Sequence, residues 1–226
     1  MTNLELQNVS AHRGSFLALR DLSCSFPASS FTLLLGPSGS GKSTLLRLWN
    51  RLGEKSSGRI LFNDQPIEQM NLYQLRRSIG FVPQDLGLFP HRTLAQQILL
   101  ASSTANPEAL LAQVELPPPY ASRYPRQLSG GEQQRAAIAR ALAASPPALL
   151  LDEAFSALDP PLRQDLLALV AGLGRTTILT SHDPAPALRY ATQVVFLSQG
   201  ELLFAGTPEE YLQSDLPLLK RYREAS

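Results

Sequence analysis

The chain carries one cysteine, Cys24, among its 226 residues. A single thiol excludes an internal disulfide framework and fits a reducing compartment. Placed in the alternating run "LRDLSCSF", it reads as a small core filler rather than a nucleophile. Nowhere do about 18 apolar residues follow one another, the length a membrane-spanning helix needs. The start "MTNLELQNVS" has no basic segment followed by an apolar stretch, so no secretory signal is expected. Any work at a membrane is therefore expected to pass through a partner. An excess of one charge is missing too: 20 Lys and Arg stand against 19 Asp and Glu, a formal +1, with no basic cluster. No nucleic acid partner is implied.

What is present is an ordinary globular balance, 44% hydrophobic and 17% charged. At this length, one large α/β domain with attached subdomains is expected. The runs "LELQNV" and "LRDLSCSF" alternate as half-buried strands, whereas "FTLLL" is continuously apolar, as in a parallel strand covered on both faces. Residues Lys42 to Asn50 read as a helix burying Leu45, Leu46, Leu48 and Trp49. "GRILFN" reads as a strand, "LYQLRR" as a short helix, and "IGFVPQ" as a strand ending at Gln84. From there the patterns turn helical ("TLAQQILLAS", "PEALLAQVEL"), and Pro117 to Pro119 are expected to stop a helix. A helix from Gly130 to Ala144 leads into the buried strand of "PALLLDE". Then come a helix from Pro160 to about Gly172, the strand "TTILT", and a hairpin turning at Gln199 and Gly200. The last helix starts at Thr207 as N-cap, with Pro208 and Glu210 behind it. Alternating strands and helices predict a largely parallel sheet with both faces covered.

Gly36, Gly41, Lys42 and Ser43 complete the pattern G-x-x-x-x-G-K-[ST], placed after a predicted strand and before a predicted helix. Small residues let successive backbone N–H groups curl round phosphate oxygens at the positive end of a helix, and the lysine reaches the β- and γ-phosphates. Ser43 would offer its hydroxyl to Mg²⁺. Farther on, "ALLLDE" delivers Asp152 and Glu153 at the carboxyl end of a buried strand, where ligands gather in parallel sheets. Asp152 suits Mg²⁺, mainly through water, and Glu153 can polarise an attacking water. A third stretch, "QLSGGEQQR" (Gln127 to Arg135), reads as a helix start with Ser129 and Glu132 forming a capping box. The box leaves Gly130 and Gly131 unexplained, since glycine in a first turn costs roughly 0.5–1 kcal/mol relative to alanine. Their presence predicts that something approaches this backbone closely.

Together these residues resemble the nucleotide-binding subunit of an ATP-binding-cassette transporter over almost the whole chain. "GPSGSGKST" (Gly36, Pro37, Ser38, Gly39, Ser40, Gly41, Lys42, Ser43, Thr44) matches the Walker A loop, and Gln84 in "FVPQD" matches the Q-loop. "LSGGEQQR" matches the family signature and "ALLLDE" the Walker B strand. "SALD", ending at Asp159, matches the D-loop, and His182 in "TSHD" the switch histidine. The resemblance implies a P-loop NTPase (RecA-like) core with a mostly parallel sheet, an N-terminal antiparallel β-subdomain and an inserted α-helical subdomain. The core and β-subdomain would cover 1–85 and 146–226, and the helical subdomain about 86–145, within one cassette domain.

It further implies ATP and Mg²⁺ as cofactors, with Ser43, Gln84 and Asp152 at the metal and Glu153, His182, Lys42 and Gln84 in catalysis. A second cassette, taken as another copy of this chain, would present Ser129, Gly130, Gly131 and Glu132 in trans to the γ-phosphate. Membrane-spanning permease subunits would be the other partners, placing the chain peripherally on the cytoplasmic face of the cell membrane. The implied function is ATP hydrolysis driving solute transport; the alternative is an ATPase that regulates a membrane complex mechanically without moving a solute. Two departures stand out. Where the family commonly stacks adenine on a tyrosine, "SAHRGSF" has His12 and Arg13, so stacking by the Arg13 guanidinium, stacking by Phe16 and relaxed base selectivity are the alternatives. Ala154 replaces a frequent proline, and His91 reads as a surface residue.

Overall fold

The computed structural model describes residues 2–224. The chain begins with β1 (Leu4–Arg13) and β2 (Phe16–Phe26), which pair antiparallel, followed by β3 (Phe31–Leu35). Helix α1 (Lys42–Trp49) leads to β4 (Ser57–Phe62) and the short β5 (Gln65–Pro66), then α2 (Leu72–Ser78) and β6 (Ile79–Val82). A strand-free stretch holds α3 (Leu94–Ala101), α4 (Pro107–Gln113) and two 3₁₀ turns before α5 (Gly130–Leu142). Then β7 (Ala148–Asp152), α6 (Pro160–Gly172), β8 (Thr176–Thr180) and the one-turn α7 (Ala185–Leu188) follow. The chain closes with the hairpin β9 (Gln193–Ser198) and β10 (Glu201–Gly206), then α8 (Pro208–Gln213) and α9 (Pro217–Glu224).

Two sheets result. A four-stranded antiparallel sheet has the order β2-β1-β4-β5, and a six-stranded sheet the order β10-β9-β3-β8-β7-β6. In the larger sheet β9, β3, β8, β7 and β6 run parallel and only β10 is antiparallel. The central strands β3, β7 and β8 are buried at every position, which explains their unbroken apolar or β-branched runs. Helix α1 packs between the sheets and buries Leu45, Leu46, Leu48 and Trp49. Each such side chain contributes roughly 1.5–3 kcal/mol when fully withdrawn from water. Trp49 meets Phe26 edge to face at 6.2 Å between ring centroids, joining the antiparallel sheet to the parallel one. Cys24 packs at the margin of this layer, and burial pushes its thiol up to about 11.

On the other face of the larger sheet, Leu33, Leu149 and Leu151 share one apolar cluster with Leu94, Ile98, Leu111 and Val114 of the strand-free stretch. The helical stretch thus has no interior separate from the sheet's. Its α4 ends at Gln113, ahead of the triple proline, where Glu115 turns into the left-handed region (φ 57°). The expectation that Pro117 to Pro119 stop a helix is therefore corrected: the helix has already ended, and Pro118 instead opens a 3₁₀ turn to Ser122. Helix α5 likewise ends at Leu142, short of Ala144.

Candidate functional site

Three strands deliver the site. β3, β7 and β8 are neighbours in the parallel sheet, so their carboxyl ends bring the loop 36–44, the pair Asp152 and Glu153, and the segment after Thr180 to one edge. The loop's glycines have distinct reasons. At Gly36 (φ 141°) a Cβ would overlap the carbonyl oxygen of Leu197, and at Gly41 (φ 105°) it would lie 2.6 Å from Leu19 Cδ2. Helices α2, α3, α4, α5, α6 and α8 each begin on a side chain that accepts from the first turn. Helix α1 begins on Gly41 and has no such cap, so its first-turn amides face the loop without a side-chain acceptor.

Lys42 lies along this loop. Its Nζ donates to the carbonyls of Gly36 (2.6 Å) and Pro37 (3.0 Å). Burial lowers its pKa, and the carboxylates of Glu153 and Asp152 act in the opposite direction. Asp152 is buried at the end of β7. Its Oδ1 accepts from the Thr180 hydroxyl (2.8 Å), while Oδ2 is buried with no hydrogen-bond partner. A carboxylate oxygen left this way is costly unless a cation or an ordered water stands opposite. That is the chemistry a water-bridged Mg²⁺ would supply, so the donor set fits the ion.

Glu153 lies one residue past the strand, at φ 54°. A non-glycine residue there carries on the order of 1–3 kcal/mol of strain and persists only where its surroundings hold it. They do: its N–H donates to Thr180 Oγ1 (3.0 Å), Gln84 Nε2 donates to its Oε2 (3.3 Å), and His182 Nε2 lies 2.6 Å from its Oε1. Gln84, Glu153 and His182, far apart in the chain, meet on one carboxylate. The His182 loop is braced from α6, because Arg163 pairs with Asp183 at 2.9 Å and also donates to the Leu158 carbonyl (3.1 Å). A cavity of about 180 Å³ opens among Glu153, Ser156, Arg163, Thr180 and His182.

The signature segment opens α5 and makes none of the contacts on Glu153 described above. Its capping box is complete: Ser129 Oγ accepts from the Glu132 N–H (3.3 Å) and Glu132 Oε2 from the Ser129 N–H (2.7 Å). Tyr120 donates its hydroxyl to Glu132 Oε1 (2.5 Å), and this bond is the main cause of that carboxyl's lowered pKa. The glycines differ. A Cβ at Gly131 would lie 3.3 Å from the Ala157 carbonyl oxygen, a tight contact, so part of the close approach expected at this backbone comes from within the chain. At Gly130 the same test finds only ordinary contact, 3.7 Å from Ala157 Cβ.

Asp159 accepts from the Leu162 N–H (3.0 Å) and caps α6. Sequence reasoning missed Gln134, a buried residue of α5 whose Nε2 donates to Ser156 Oγ (3.0 Å) and whose Oε1 accepts from the Ala157 N–H (3.0 Å). It straps the signature helix to the segment preceding Asp159. A polar residue on the inward face of an otherwise alanine-rich helix is the signal that could have found it. His12 and Arg13 line one cavity with Ser43, Thr44 and Gln84, whereas Phe16 lines another beside Pro37, Ser38, Gly39 and Ser40. His91 is exposed.

Comparison with known proteins gives the family. The family model described as ABC transporter matches residues 19–156. The chain is 40% identical to the glycine betaine/carnitine/choline transport ATP-binding protein OpuCA of Bacillus subtilis, over 93% of this chain and 59% of that protein. It is 42% identical to the glycine betaine uptake system ATP-binding protein YehX of Escherichia coli, over 91% of this chain and 71% of that protein. With the Fe(3+) ions import ATP-binding protein FbpC of Pseudomonas fluorescens the identity is 45%, over 94% and 64%. The chain thus spans about three fifths to seven tenths of these relatives. Among solved structures, a bacterial Atm1-family ABC exporter with ATP bound superposes with a TM-score of 0.89 at 32% identity, over all of this chain and 42% of that one. The dimeric ATP-binding cassette MJ0796 in a post-hydrolysis state with ADP and Pi superposes at 0.83 with 30% identity, over 91% and 98%. A glycine-rich loop after a buried strand, paired acids at the end of its neighbour and the LSGG helix start stand in the same chain as these similarities, and the chain belongs to the ABC transporter family of ATP-binding proteins.

Proposed function

We propose that this chain binds and hydrolyses Mg-ATP, that two copies close head to tail around two nucleotides, and that closure drives solute uptake through separate membrane-spanning partners. The observation that carries the reading is the meeting of Gln84 and His182 on the Glu153 carboxylate, beside Lys42 and the unpartnered oxygen of Asp152. Phosphoryl transfer needs little covalent help from a protein; positioning and charge neutralisation supply nearly all the catalysis.

The backbone of residues 36–44 would hold the phosphates, with Lys42 turning from the Gly36 and Pro37 carbonyls to the β- and γ-oxygens. Ser43, Asp152 and Gln84 would hold Mg²⁺, which when bound neutralises charge developing on the phosphate oxygens. Glu153 orients an attacking water and takes its proton, while Gln84 and His182 keep that carboxylate aimed. In the closed pair, Ser129 of the other copy reaches the γ-phosphate. Its capping bond uses the hydroxyl oxygen as acceptor, so the proton can still be donated outward. Gly130, Gly131 and Glu132 complete that helix start, whose positive end favours the anion. Asp159 lies at the same seam.

An apolar groove between α2, α3 and α5 suits the membrane partner. Leu72, Tyr73, Phe89 and Leu100 are exposed along it, with Arg76, Arg77 and Arg140 at its margins. No helix among the described residues is long and apolar enough to cross a membrane, which fits peripheral docking on the cytoplasmic face. The curated relatives' names concern betaine, carnitine, choline, ferric ion and sulfate, and where they state a direction it is uptake or import. These relatives are 40–45% identical to the chain against 32% for the exporter, so import is the proposed direction. The test is copurification of the tagged chain with its membrane partner, followed by ATP-dependent solute uptake into liposomes. ATP consumption without solute movement would leave a mechanical regulator, and failure to bind ATP would end the reading.

A further inference from the structure

Thr180 ends β8 directly across the parallel ladder from Asp152, the last residue of β7. Its side chain is fully buried, and its hydroxyl makes two bonds at once. Oγ1 donates to Asp152 Oδ1 (2.8 Å) and accepts from the Glu153 N–H (3.0 Å). One oxygen thereby fixes the side chain of one acid and the main chain of the next. A valine would occupy the same space in a strand this apolar, but it would leave both bonded groups unpaired. The bond to Oδ1 also decides which Asp152 oxygen stays open, since Oδ2 is the one without a protein partner.

We propose that Thr180 is a positioning residue for the acidic pair: its hydroxyl presents Asp152 Oδ2 to a nucleotide-bound Mg²⁺ and holds the left-handed Glu153 in reach of Gln84 and His182. The inference rests on the ATP reading above. Partners one shell out from a metal-bound group typically change metal affinity or activity by about 10- to 100-fold when removed.

The experiment uses the full chain and two substitutions that separate the hydroxyl from the shape. Mg²⁺ is titrated against a fluorescent ATP analogue, and steady-state turnover is measured in parallel. Thr180→Val should raise the Mg²⁺ needed for half-maximal tightening about tenfold while leaving Mg²⁺-free nucleotide binding unchanged. It should also lower kcat about tenfold with KM moving less than twofold. Thr180→Ser, which keeps the hydroxyl and loses the methyl, should behave as wild type. Should Thr180→Val fail to fold, Thr180→Cys, whose thiol is a weak donor, replaces it with the same expected pattern. A valine variant matching wild type in both measurements would overturn the proposal, as would equal losses in the valine and serine variants, which mark a packing role. Wild-type protein with no Mg²⁺-dependent nucleotide binding would instead defeat the ATP reading, and this inference with it.

Discussion

His182 Nε2 lies 2.6 Å from Glu153 Oε1, on the side of the carboxylate opposite the one that Gln84 reaches. Each oxygen of Glu153 therefore has its own partner, one from the segment after β6 and one from the segment after β8. Replacing Glu153 by Gln keeps the shape and removes the carboxylate that the proposed reading uses as base. Glu153→Gln should retain ATP binding, lower turnover by roughly 10²-fold or more, and accumulate a dimer with nucleotide trapped inside. Single-turnover assays with size-exclusion chromatography check both parts; near-normal turnover would take Glu153 out of its role.

The proposed trans role of the signature segment can be tested without disturbing the nucleotide loop of the same copy. Ser129→Arg puts a long cation where two copies would meet and leaves the Lys42 loop untouched. ATP binding by the monomer should survive, whereas ATP-dependent dimerisation should be lost. A dimer of this variant on gel filtration with ATP would contradict the trans arrangement.

Gln134 bridges α5 to the backbone of Ala157 and the hydroxyl of Ser156. Gln134→Leu fills similar volume but removes the acceptor of the Ala157 N–H, which should cost about 0.5–1.5 kcal/mol of stability. Thermal melts report that loss. If the strap also couples the signature helix to the Asp159 segment, nucleotide-driven dimerisation should weaken in the same variant beyond what the melt accounts for.

Cys24 supplies a pH-dependent check on packing. With its thiol pushed up to about 11 by burial, the thiolate fraction at pH 8 should be roughly 100-fold below that of an unhindered cysteine. A thiol reagent should therefore label folded protein slowly and urea-unfolded protein fast. Because the folded pKa is the higher one, the stability this neutral thiol contributes is complete below the unfolded value and fades as pH rises toward 11. Equal labelling rates in the two states would contradict its half-buried packing at the margin of the layer between the sheets.

Much of this molecule is legible in its residues taken in order. The buried runs of β3, β7 and β8, the glycine-rich loop and the capping boxes at Ser129 and Thr207 are local patterns with local causes. What could not be read is contact across the chain. Gln84 and Glu153 are 69 residues apart and Glu153 and Thr180 27 apart, so no window of sequence holds either pair. The last threonine of "TTILT" reads as one more β-branched strand residue until the register with β7 sets it beside Asp152. The same holds for Tyr120: its place after three prolines says only "turn", while its hydroxyl reaches Glu132.

Helices α3 and α4 share their apolar layer with the sheet instead of owning one. Arg140 of α5 also grips the carbonyls of Leu86 (2.7 Å) and Gly87 (2.5 Å), at the joint where this stretch departs from the sheet. Tilting the helices outward would wet that layer at about 25 cal/mol for every Å² uncovered. An outward swing of these helices is therefore costly unless another surface replaces the sheet as their cover.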